Sequence, residues 1–246
     1  MNPIISVIIP VKRNVTGLSV TVDALHALDQ QGIEIIVVDG GGCAETKTWL
    51  LQHQSKIDHI RSAPDGGIYD ALNYGIGCAN GQWIWCAGAG DLPIQGTWKA
   101  ILNGSLALDE KSVQIFSVEM DGESENGVPT AYNARWDESL IWRNTAHHQG
   151  FLYPKSMVHE VKFDTQFKVL ADYALHLSWW NEGRKAELHR SSLSMVESGG
   201  ISRQFTPSLY LEEWRLKKQI LSGWRKWLQP FWLFGKFTFK KTGLKR

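Results

Sequence analysis

Residues 62–91 read SAPDGGIYDALNYGIGCANGQWIWCAGAGD and combine a Gly-Gly turn, an amphipathic helix, a short apolar strand and a terminal acid. Apolar residues at helical spacing predict a helix over residues 68–79, and the apolar run over residues 82–87 predicts a strand. The glycines let a ligand approach the backbone closely, and the start of a helix directs N–H groups outward. Asp91 can hold a divalent cation. This stretch therefore predicts a site for a nucleotide diphosphate.

The chain before this stretch alternates between strands and helices. Two continuous apolar runs rich in β-branched residues, 4–11 and 33–38, are typical of strands buried on both faces. Helices are predicted over residues 17–28 and 45–54, and a third short strand over residues 57–62. This order favours right-handed βαβ units and an α/β fold with a parallel sheet. Ligands bind beyond the carboxyl ends of such strands, where both Asp39 and Asp91 fall.

The pattern weakens after residue 91. Helices are predicted over residues 97–108 and 170–182, a strand over residues 113–120, and a loop over residues 197–204. Residues 131–150 have no clean period, so the sequence predicts no element there.

Length and composition place the chain among ordinary globular proteins. Its 246 residues, 43% hydrophobic and 21% charged, suffice for one large domain or one domain with an appendage. The three cysteines have neither disulfide nor zinc spacing, which favours a reducing, cytosolic compartment. The first residues lack a signal-peptide layout, and no apolar run reaches the roughly 18 residues of a spanning helix. We therefore expect a protein that is neither secreted nor membrane-spanning.

The C-terminal part of the chain differs in charge and pattern. Residues 214–246 hold ten Lys or Arg and no acid, which leaves 16 basic against 25 acidic residues before them. Seven apolar residues recur there at helical spacing: Leu216, Ile220, Leu221, Trp224, Trp227, Leu228 and Phe231. The sequence thus predicts a main domain over residues 1–207 and a basic, aromatic, amphipathic helical tail over residues 208–246.

Six segments of this chain occur in the order found in family 2 glycosyltransferases. They are SVIIPVKRN (6–14), IIVVDGGG (35–42), the stretch 62–91, HHQGFLYPKSM (147–157), FDTQFKVLADYALHL (163–177) and SGGIS (198–202). The chain resembles the bacterial branch of this family that builds exopolysaccharide, capsule or O-antigen repeats, over roughly residues 4–204. The resemblance implies a GT-A fold, a Rossmann-like nucleotide-binding sheet flanked by helices. It further implies a nucleotide-sugar donor, a divalent metal (Mn²⁺ or Mg²⁺) and, usually, inversion at the anomeric carbon.

The resemblance also assigns a metal ligand and a base. Asp91 matches the last acid of the family's Asp-X-Asp motif, although Ala89 stands at its first position. With one carboxylate, metal binding would depend on the diphosphate and on water. Asp172 corresponds to the acid that the family uses as the acceptor-side base. On sequence alone, Asp91 could instead cap a turn, and Asp172 could cap a helix.

Three residues follow the first two strands and are implied to contact the donor. Asp39 corresponds to the acid that pairs with the nucleotide base, although an Asp before glycines is also a common turn residue. Pro10 and Arg13 are placed on the loop after the first strand, where they would line the same pocket. Arg13 could offer charge to phosphate or could be a solvated surface residue.

The resemblance places further donor contacts around the Gly-Gly turn, at Asp65, Gly67, Asp70 and Asn73. Asp65 could equally cap the helix, and for Asp70 the interaction with the positive end of the helix is the stronger account on sequence alone. His147, His148 and Gln149 match the family's His-Gln signature near the acceptor and the diphosphate. Adjacent histidines more often pack or form hydrogen bonds than bind a metal.

These features together predict a metal-dependent, inverting glycosyltransferase that moves a hexose from a UDP-sugar to a lipid-linked oligosaccharide in bacterial surface polysaccharide synthesis. Because such acceptors are held in the membrane, we expect the tail to lie on the anionic inner face of the cytoplasmic membrane, rather than to pack on the domain. One alternative is a sugar nucleotidyltransferase, although no lysine-containing Gly-rich loop follows the first strand. Another is a non-catalytic module that binds membrane or nucleic acid. The acidic main domain argues against a nucleic-acid partner.

Overall fold

One mixed sheet with helices on both faces organises the chain. The computed structural model describes residues 2–28, 32–121, 131–160, 162–196 and 206–242. The strands are β1 (Ile5–Val11), β2 (Ile33–Asp39), β3 (His59–Ser62), β4 (Trp83–Cys86), β5 (Leu92–Pro93), β6 (Val113–Met120), β7 (Ala131–Tyr132), β8 (Phe151–Pro154) and β9 (Ala186–Val196). The helices are α1 (Val15–His26), α2 (Ala44–Gln52), α3 (Ile68–Cys78), α4 (Gln95–Leu102), α5 (Lys155–Glu160), α6 (Ala171–Asn181), α7 (Pro207–Ile220) and α8 (Gly223–Thr242).

The strand order is β3-β2-β1-β4-β8-β6-β9-β5, with β7 paired to β6. The first four strands are parallel, as predicted. The prediction of a parallel sheet is wrong for the second half of the sheet, which is mixed: β8 runs antiparallel to both β4 and β6, whereas β6 and β9 pair in parallel. A parallel pair needs a crossover helix, and the chain enters β8 from the irregular residues 133–150 instead.

Alternating side chains of β1 divide the core into two layers. Ile5, Val7 and Ile9 pack with α1, α2 and α4 on one face, and Ile8 packs with α3, α6 and α7 on the other. β1 is buried on both faces, as its continuous apolar run predicts. Two buried tryptophans, Trp85 and Trp98, meet edge to face in the first layer.

Most predicted boundaries lie within a few residues of the observed ones. The largest shift is in the helix predicted over residues 97–108, which runs from Gln95 to Leu102. It ends early because Asn103 and Gly104 follow, the latter at a φ of 76° that terminates a helix. The loop predicted over residues 197–204 lies outside the described part of the chain.

Helix α3 lies so close to β1 that a side chain at one of its glycines would clash with the strand. A Cβ at Gly75 would lie 2.3 Å from Cγ2 of Ile8, whereas a Cβ at Gly77 would meet nothing within 4 Å. We expect Gly75→Ala to destabilise the fold by about 1–3 kcal/mol through overpacking. Gly77→Ala should stabilise it by about 0.5–1 kcal/mol through helix propensity. Urea unfolding of the two variants measures both, and equal effects would contradict the close approach of α3 to β1.

The tail forms two helices rather than the single helix that the sequence predicts. α7 ends at Ile220, and α8 begins at Gly223, whose φ of 58° redirects the chain. Leu216 and Leu221 belong to the same buried cluster as α6, so the core extends beyond residue 207. Among the described residues, none of the helices combines the length and the apolarity that crossing a bilayer requires.

Candidate active site

The carboxyl ends of four parallel strands meet at one edge of the sheet. Val11, Asp39 and Ser62 lie in register at the ends of β1, β2 and β3. β4 ends beside them at Cys86, and the antiparallel β8 begins there at Phe151. The loops that carry most of the predicted site residues therefore open on the same side of the molecule.

Asp39 is the last residue of β2, and its carboxylate ties two strand ends together. Its Oδ1 accepts a hydrogen bond from the Gly41 N–H (3.1 Å), and its Oδ2 accepts one from the Ser62 hydroxyl (2.7 Å). The residue is only 1% exposed. The turn role that the sequence allowed is thus present, and contact with a nucleotide base remains a prediction.

Arg13 lies on the loop after the first strand, as predicted, whereas Pro10 does not. Pro10 lies inside β1, opposite Val38, and not on the following loop. A proline fits there because β4 ends its pairing with β1 at Ile8, so no ladder bond is lost on that side. Arg13 is exposed and has a φ of 56°, the left-handed conformation, which no other described non-glycine residue adopts. Such strain concentrates at functional sites.

Both acids around the Gly-Gly turn bond to its backbone amides. Asp65 Oδ1 accepts from the Gly67 N–H, and Asp70 Oδ2 accepts from the Gly66 N–H, each at 3.0 Å. Gly67 precedes α3 with a φ of 120°, a conformation that other residues rarely adopt. An anionic donor at these amides would have to displace the two carboxylates. The local capping roles are therefore the ones that the geometry displays.

Asn73 joins α3 to a distant loop. Its Nδ2 donates to the Phe163 carbonyl (2.8 Å), and its Oδ1 accepts from the Phe163 N–H (2.9 Å). This reciprocal pair occupies the amide, which favours a structural role for Asn73 over the predicted donor contact.

Asp91 closes the loop that follows β4. Its Oδ2 accepts from the Gly88 N–H at 2.5 Å. Helix α1 holds the same loop, because Asn14 donates to the Ala89 carbonyl (3.0 Å) and Thr21 Oγ1 accepts from the Gly90 N–H (2.9 Å). Within the described ranges, no three His, Cys, Asp or Glu side chains form a group that could hold a metal. One carboxylate oxygen fits Mn²⁺ or Mg²⁺ only where the diphosphate supplies most other ligands.

Asp172 lies in the first turn of α6, with a partner on each carboxylate oxygen. The Tyr69 hydroxyl lies 2.9 Å from Oδ1, and His148 Nδ1 lies 3.4 Å from Oδ2. Burial opposes ionisation of the carboxyl, but the hydrogen bond from His148 and the charges of His148 and His176 outweigh it. The pKa of Asp172 therefore lies well below its ordinary value. The carboxylate stays charged at every physiological pH.

The segment of His147, His148 and Gln149 leads into β8 and is fixed by its neighbours. The Gln149 carbonyl accepts from the Trp85 indole and from the Ser194 hydroxyl, both at 2.9 Å. The two histidine rings stack with centroids 5.5 Å apart. Among the described residues, Gln149 Oε1 has no hydrogen-bond partner although it is buried.

The sequence analysis missed several residues around Asp172. His176 is buried beside Tyr153, whose hydroxyl lies 2.8 Å from its Nε2, and burial lowers the pKa of His176 to about 3. Glu212 of α7 accepts from the N–H groups of Val169 and Leu170 (2.8 Å each) at the start of α6. The spacing of four residues between Asp172 and His176 on a helix could have revealed their proximity. Glu212 carries no local signal in the sequence.

Solved glycosyltransferases share this architecture. The chain aligns with S. aureus TarS residues 1–349 in complex with UDP-GlcNAc at a TM-score of 0.68 and 15% identity, covering 96% of this chain and 73% of that one. It spans 44% of the longer TarS chain. A mannosyltransferase from Pyrobaculum calidifontis, solved with GDP-Man and Mn²⁺, aligns at a TM-score of 0.64 and 13% identity over 100% of this chain and 77% of that one. The predicted GT-A fold is confirmed.

The family model described as "Glycosyl transferase family 2" matches residues 6–164, and the chain belongs to this family. A curated relative, the PGL/p-HBAD biosynthesis glycosyltransferase of Mycobacterium bovis, is 22% identical over 221 residues, covering 85% of this chain and 83% of the relative. The prediction of a glycosyltransferase is thereby confirmed against the nucleotidyltransferase and non-catalytic alternatives.

Proposed function

We propose that the protein transfers a hexose, with inversion, from a UDP-sugar to a lipid-linked oligosaccharide at the inner face of the bacterial cytoplasmic membrane, in surface polysaccharide synthesis. The observation that carries this proposal is the position of two acids at one end of the sheet. Asp91 follows β4. Asp172 pairs with His148, which lies just before β8, and β8 is the neighbour of β4 in the sheet. UDP-GlcNAc in the TarS complex supports a UDP-sugar as the donor.

Each acid has a separate task in this reaction. The negative charge of Asp172 drives deprotonation of the acceptor hydroxyl, which attacks the anomeric carbon opposite the leaving diphosphate. Asp91 would hold the divalent metal against the diphosphate, and a bound Mn²⁺ or Mg²⁺ stabilises the charge that develops on the leaving group. Arg13, on the loop after β1, would supply positive charge at the same edge.

The direct experiment incubates the purified full chain with UDP- and GDP-sugars, Mn²⁺ and lipid-linked oligosaccharide extracted from bacterial membranes. We expect UDP release that depends on the acceptor, together with a product one hexose larger and of inverted anomeric configuration. Release of pyrophosphate, or a retained configuration, would contradict the proposal.

The outward face of α8 supports the membrane part of the proposal. Seven exposed apolar side chains lie on it: Trp224, Trp227, Leu228, Phe231, Trp232, Phe234 and Phe239. Phe231 is 77% exposed and Trp227 is 74% exposed. The inward face holds the buried Gln229 and Leu233. The exposed face of α8 is thus its apolar face, the reverse of an ordinary surface helix.

Polar contacts of α8 hold this orientation. Arg225 pairs with Glu138, and Lys236 pairs with Glu213, each at 2.8 Å. The Trp232 indole donates to the Trp142 carbonyl at 2.9 Å. Packing on the domain and an apolar outer face therefore coexist, whereas the sequence treated them as alternatives. Lys217, Arg225 and Lys236 bond within the protein, so fewer than the ten predicted cations of the tail can face lipid.

A pair of substitutions on α8 tests the membrane contact. Burying Trp or Phe in the bilayer interface contributes about 1.5–3 kcal/mol each, and about 1.4 kcal/mol corresponds to tenfold in partition. We expect Trp227→Gln with Phe231→Gln to reduce co-sedimentation with phosphatidylglycerol vesicles by at least tenfold. Leu51→Gln, at the exposed Leu51 of α2, is the matched control and should leave co-sedimentation with the vesicles unchanged. Equal binding by both variants would show that α8 is not the membrane contact. Dimers seen without vesicles would indicate that the exposed face of α8 binds a second copy of the chain instead.

A further inference from the structure

We propose that His148 accepts the proton of the acceptor hydroxyl and that Asp172 is the positioning carboxylate that orients and charges it. This inference rests on the proposed glycosyl transfer and identifies the group that touches the reacting oxygen. It differs from the sequence-based assignment, in which Asp172 takes the proton itself.

The pair has the geometry of an oriented base. His148 Nδ1 lies 3.4 Å from Asp172 Oδ2, at ion-pair distance. A carboxylate can only accept hydrogen bonds, so the proton of a neutral imidazole lies on Nδ1 and the lone pair on Nε2. No described residue bonds Nε2 of His148. Hydrogen bonds between catalytic groups are often long before substrate binds and shorten in the complex.

Exposure distinguishes the two groups. The side chain of His148 is 23% exposed, whereas that of Asp172 is 11% exposed. Both oxygens of Asp172 already have partners, Tyr69 on Oδ1 and His148 on Oδ2. An acceptor hydroxyl thus reaches the imidazole more easily than the carboxylate. The lowered pKa of Asp172 points the same way, because a carboxylate that holds protons so weakly is a poor direct base.

Titratable groups surround the pair on every side. Asp172 and His176 face it from α6, Tyr69 from α3, Tyr153 from β8 and Cys86 from β4, with His147 adjacent in the chain. Burial raises the pKa values of Tyr69, Tyr153 and Cys86, and lowers that of His176 to about 3. These four groups are therefore neutral between pH 5 and 8, an interval in which imidazoles ordinarily titrate. Asp172 is the charge that stabilises a protonated His148.

The chemical step balances without a further reactant. The lone pair of His148 Nε2 takes the hydroxyl proton while the acceptor oxygen forms its bond to the anomeric carbon. The bond from that carbon to the diphosphate oxygen breaks, and its electron pair leaves with UDP. The imidazolium, paired with Asp172, then returns its proton to water.

The pH dependence of transfer by the full chain separates the two assignments. With His148 as the base, the rate of UDP-sugar turnover should fall tenfold per pH unit on the acid side, because the imidazole must be unprotonated to accept the hydroxyl proton. Asp172→Asn removes the charge that stabilises the imidazolium, so it should lower the rate and move this fall to lower pH. If Asp172 were the direct base, the fall would lie below the ordinary carboxyl value of 3.8.

Replacement of the imidazole provides a test that a structural role would not satisfy. We expect His148→Ala to lose 10²–10⁴-fold in turnover, to bind UDP as the wild type does, and to regain rate when free imidazole is added. His59→Gln replaces a histidine at the far end of β3 and should leave turnover and its pH profile unchanged. Full turnover by His148→Ala, or an acid limb unchanged from the wild type, would overturn the role of His148 while glycosyl transfer stands. Absence of turnover in the wild type with every donor would instead remove the proposed function and this inference together.

Discussion

Asp91→Ala is expected to lower acceptor-dependent release of UDP by about 10²–10³-fold and to remove its stimulation by Mn²⁺. A carboxylate-held metal contributes several kcal/mol of stabilisation to a leaving diphosphate, and each 1.36 kcal/mol is tenfold in rate. Ala89 stands at the first position of the Asp-X-Asp motif, so no neighbouring carboxylate can replace Asp91. Metal-dependent turnover at saturating donor measures the effect.

Two control variants separate loss of metal binding from loss of the loop. Asp91 also accepts from Gly88, so part of the effect of alanine would be a misplaced turn, worth about 1 kcal/mol of stability. Asp91→Asn keeps an acceptor for that N–H but removes the charge, and it should be nearly as inactive as alanine. Asp109→Ala removes a turn-capping carboxylate distant from the site and should retain activity. Wild-type metal dependence in Asp91→Asn would refute the metal assignment.

Glu213→Ala is expected to lower the free energy of unfolding by about 3–5 kcal/mol, because Glu213 is the counter-charge of a buried lysine. Glu213 bonds to Lys217 and Lys236, each at 2.8 Å, and the side chain of Lys217 has no exposed surface. Removal of the acid leaves a buried ammonium without its counter-charge. Denaturant unfolding measures the change, and Glu182→Ala, which breaks an exposed pair with Arg184, should cost at most about 1 kcal/mol.

The sign of the pH dependence follows from Lys217. Burial lowers its pKa in the folded protein to about 8, below the value of 10.5 of a free lysine. Between these values the unfolded chain binds more protons, so the contribution of Lys217 to stability rises with pH across this interval. Because Glu213 raises the pKa of Lys217, its removal lowers that pKa further, so the defect of Glu213→Ala should be greatest at acidic pH, shrink as the pH rises toward about 8, and stay constant above it. A defect that does not shrink between pH 5 and 8 would show that Lys217 is not the cause.

The sequence was sufficient to predict the first half of the fold, in which strands and helices alternate regularly. Continuous β-branched runs predicted β1 and β2, and the alternation with helices predicted their parallel pairing. It was insufficient for the mixed half of the sheet, because residues 131–150 lead into β8 without a helical or strand period. The break at Gly223 was also missed, since apolar residues of both tail helices happen to share one helical spacing.

The sequence named residues of the candidate site but not the contacts between them. The family motifs identified Asp91, His148 and Asp172, but they do not encode that Tyr69 and His148 engage both oxygens of Asp172. The placement of Pro10 on the loop was wrong, because a proline at the point where β4 stops pairing can remain in a strand. The contact between Tyr69 and Asp172 joins residues 103 positions apart, and local patterns carry no information about it.

The hydrogen bonds from Val169 and Leu170 to Glu212 bear on how such enzymes can be recombined. A membrane anchor is often regarded as a detachable module, to be trimmed for crystallisation or exchanged between relatives. Here the first tail helix supplies the acceptor for the backbone amides that precede Asp172. Truncation before residue 207 would therefore disturb the start of α6 as well as remove the proposed membrane-binding tail. A chimaera should keep its proton-transfer chemistry only if the incoming tail brings a carboxylate to the position of Glu212.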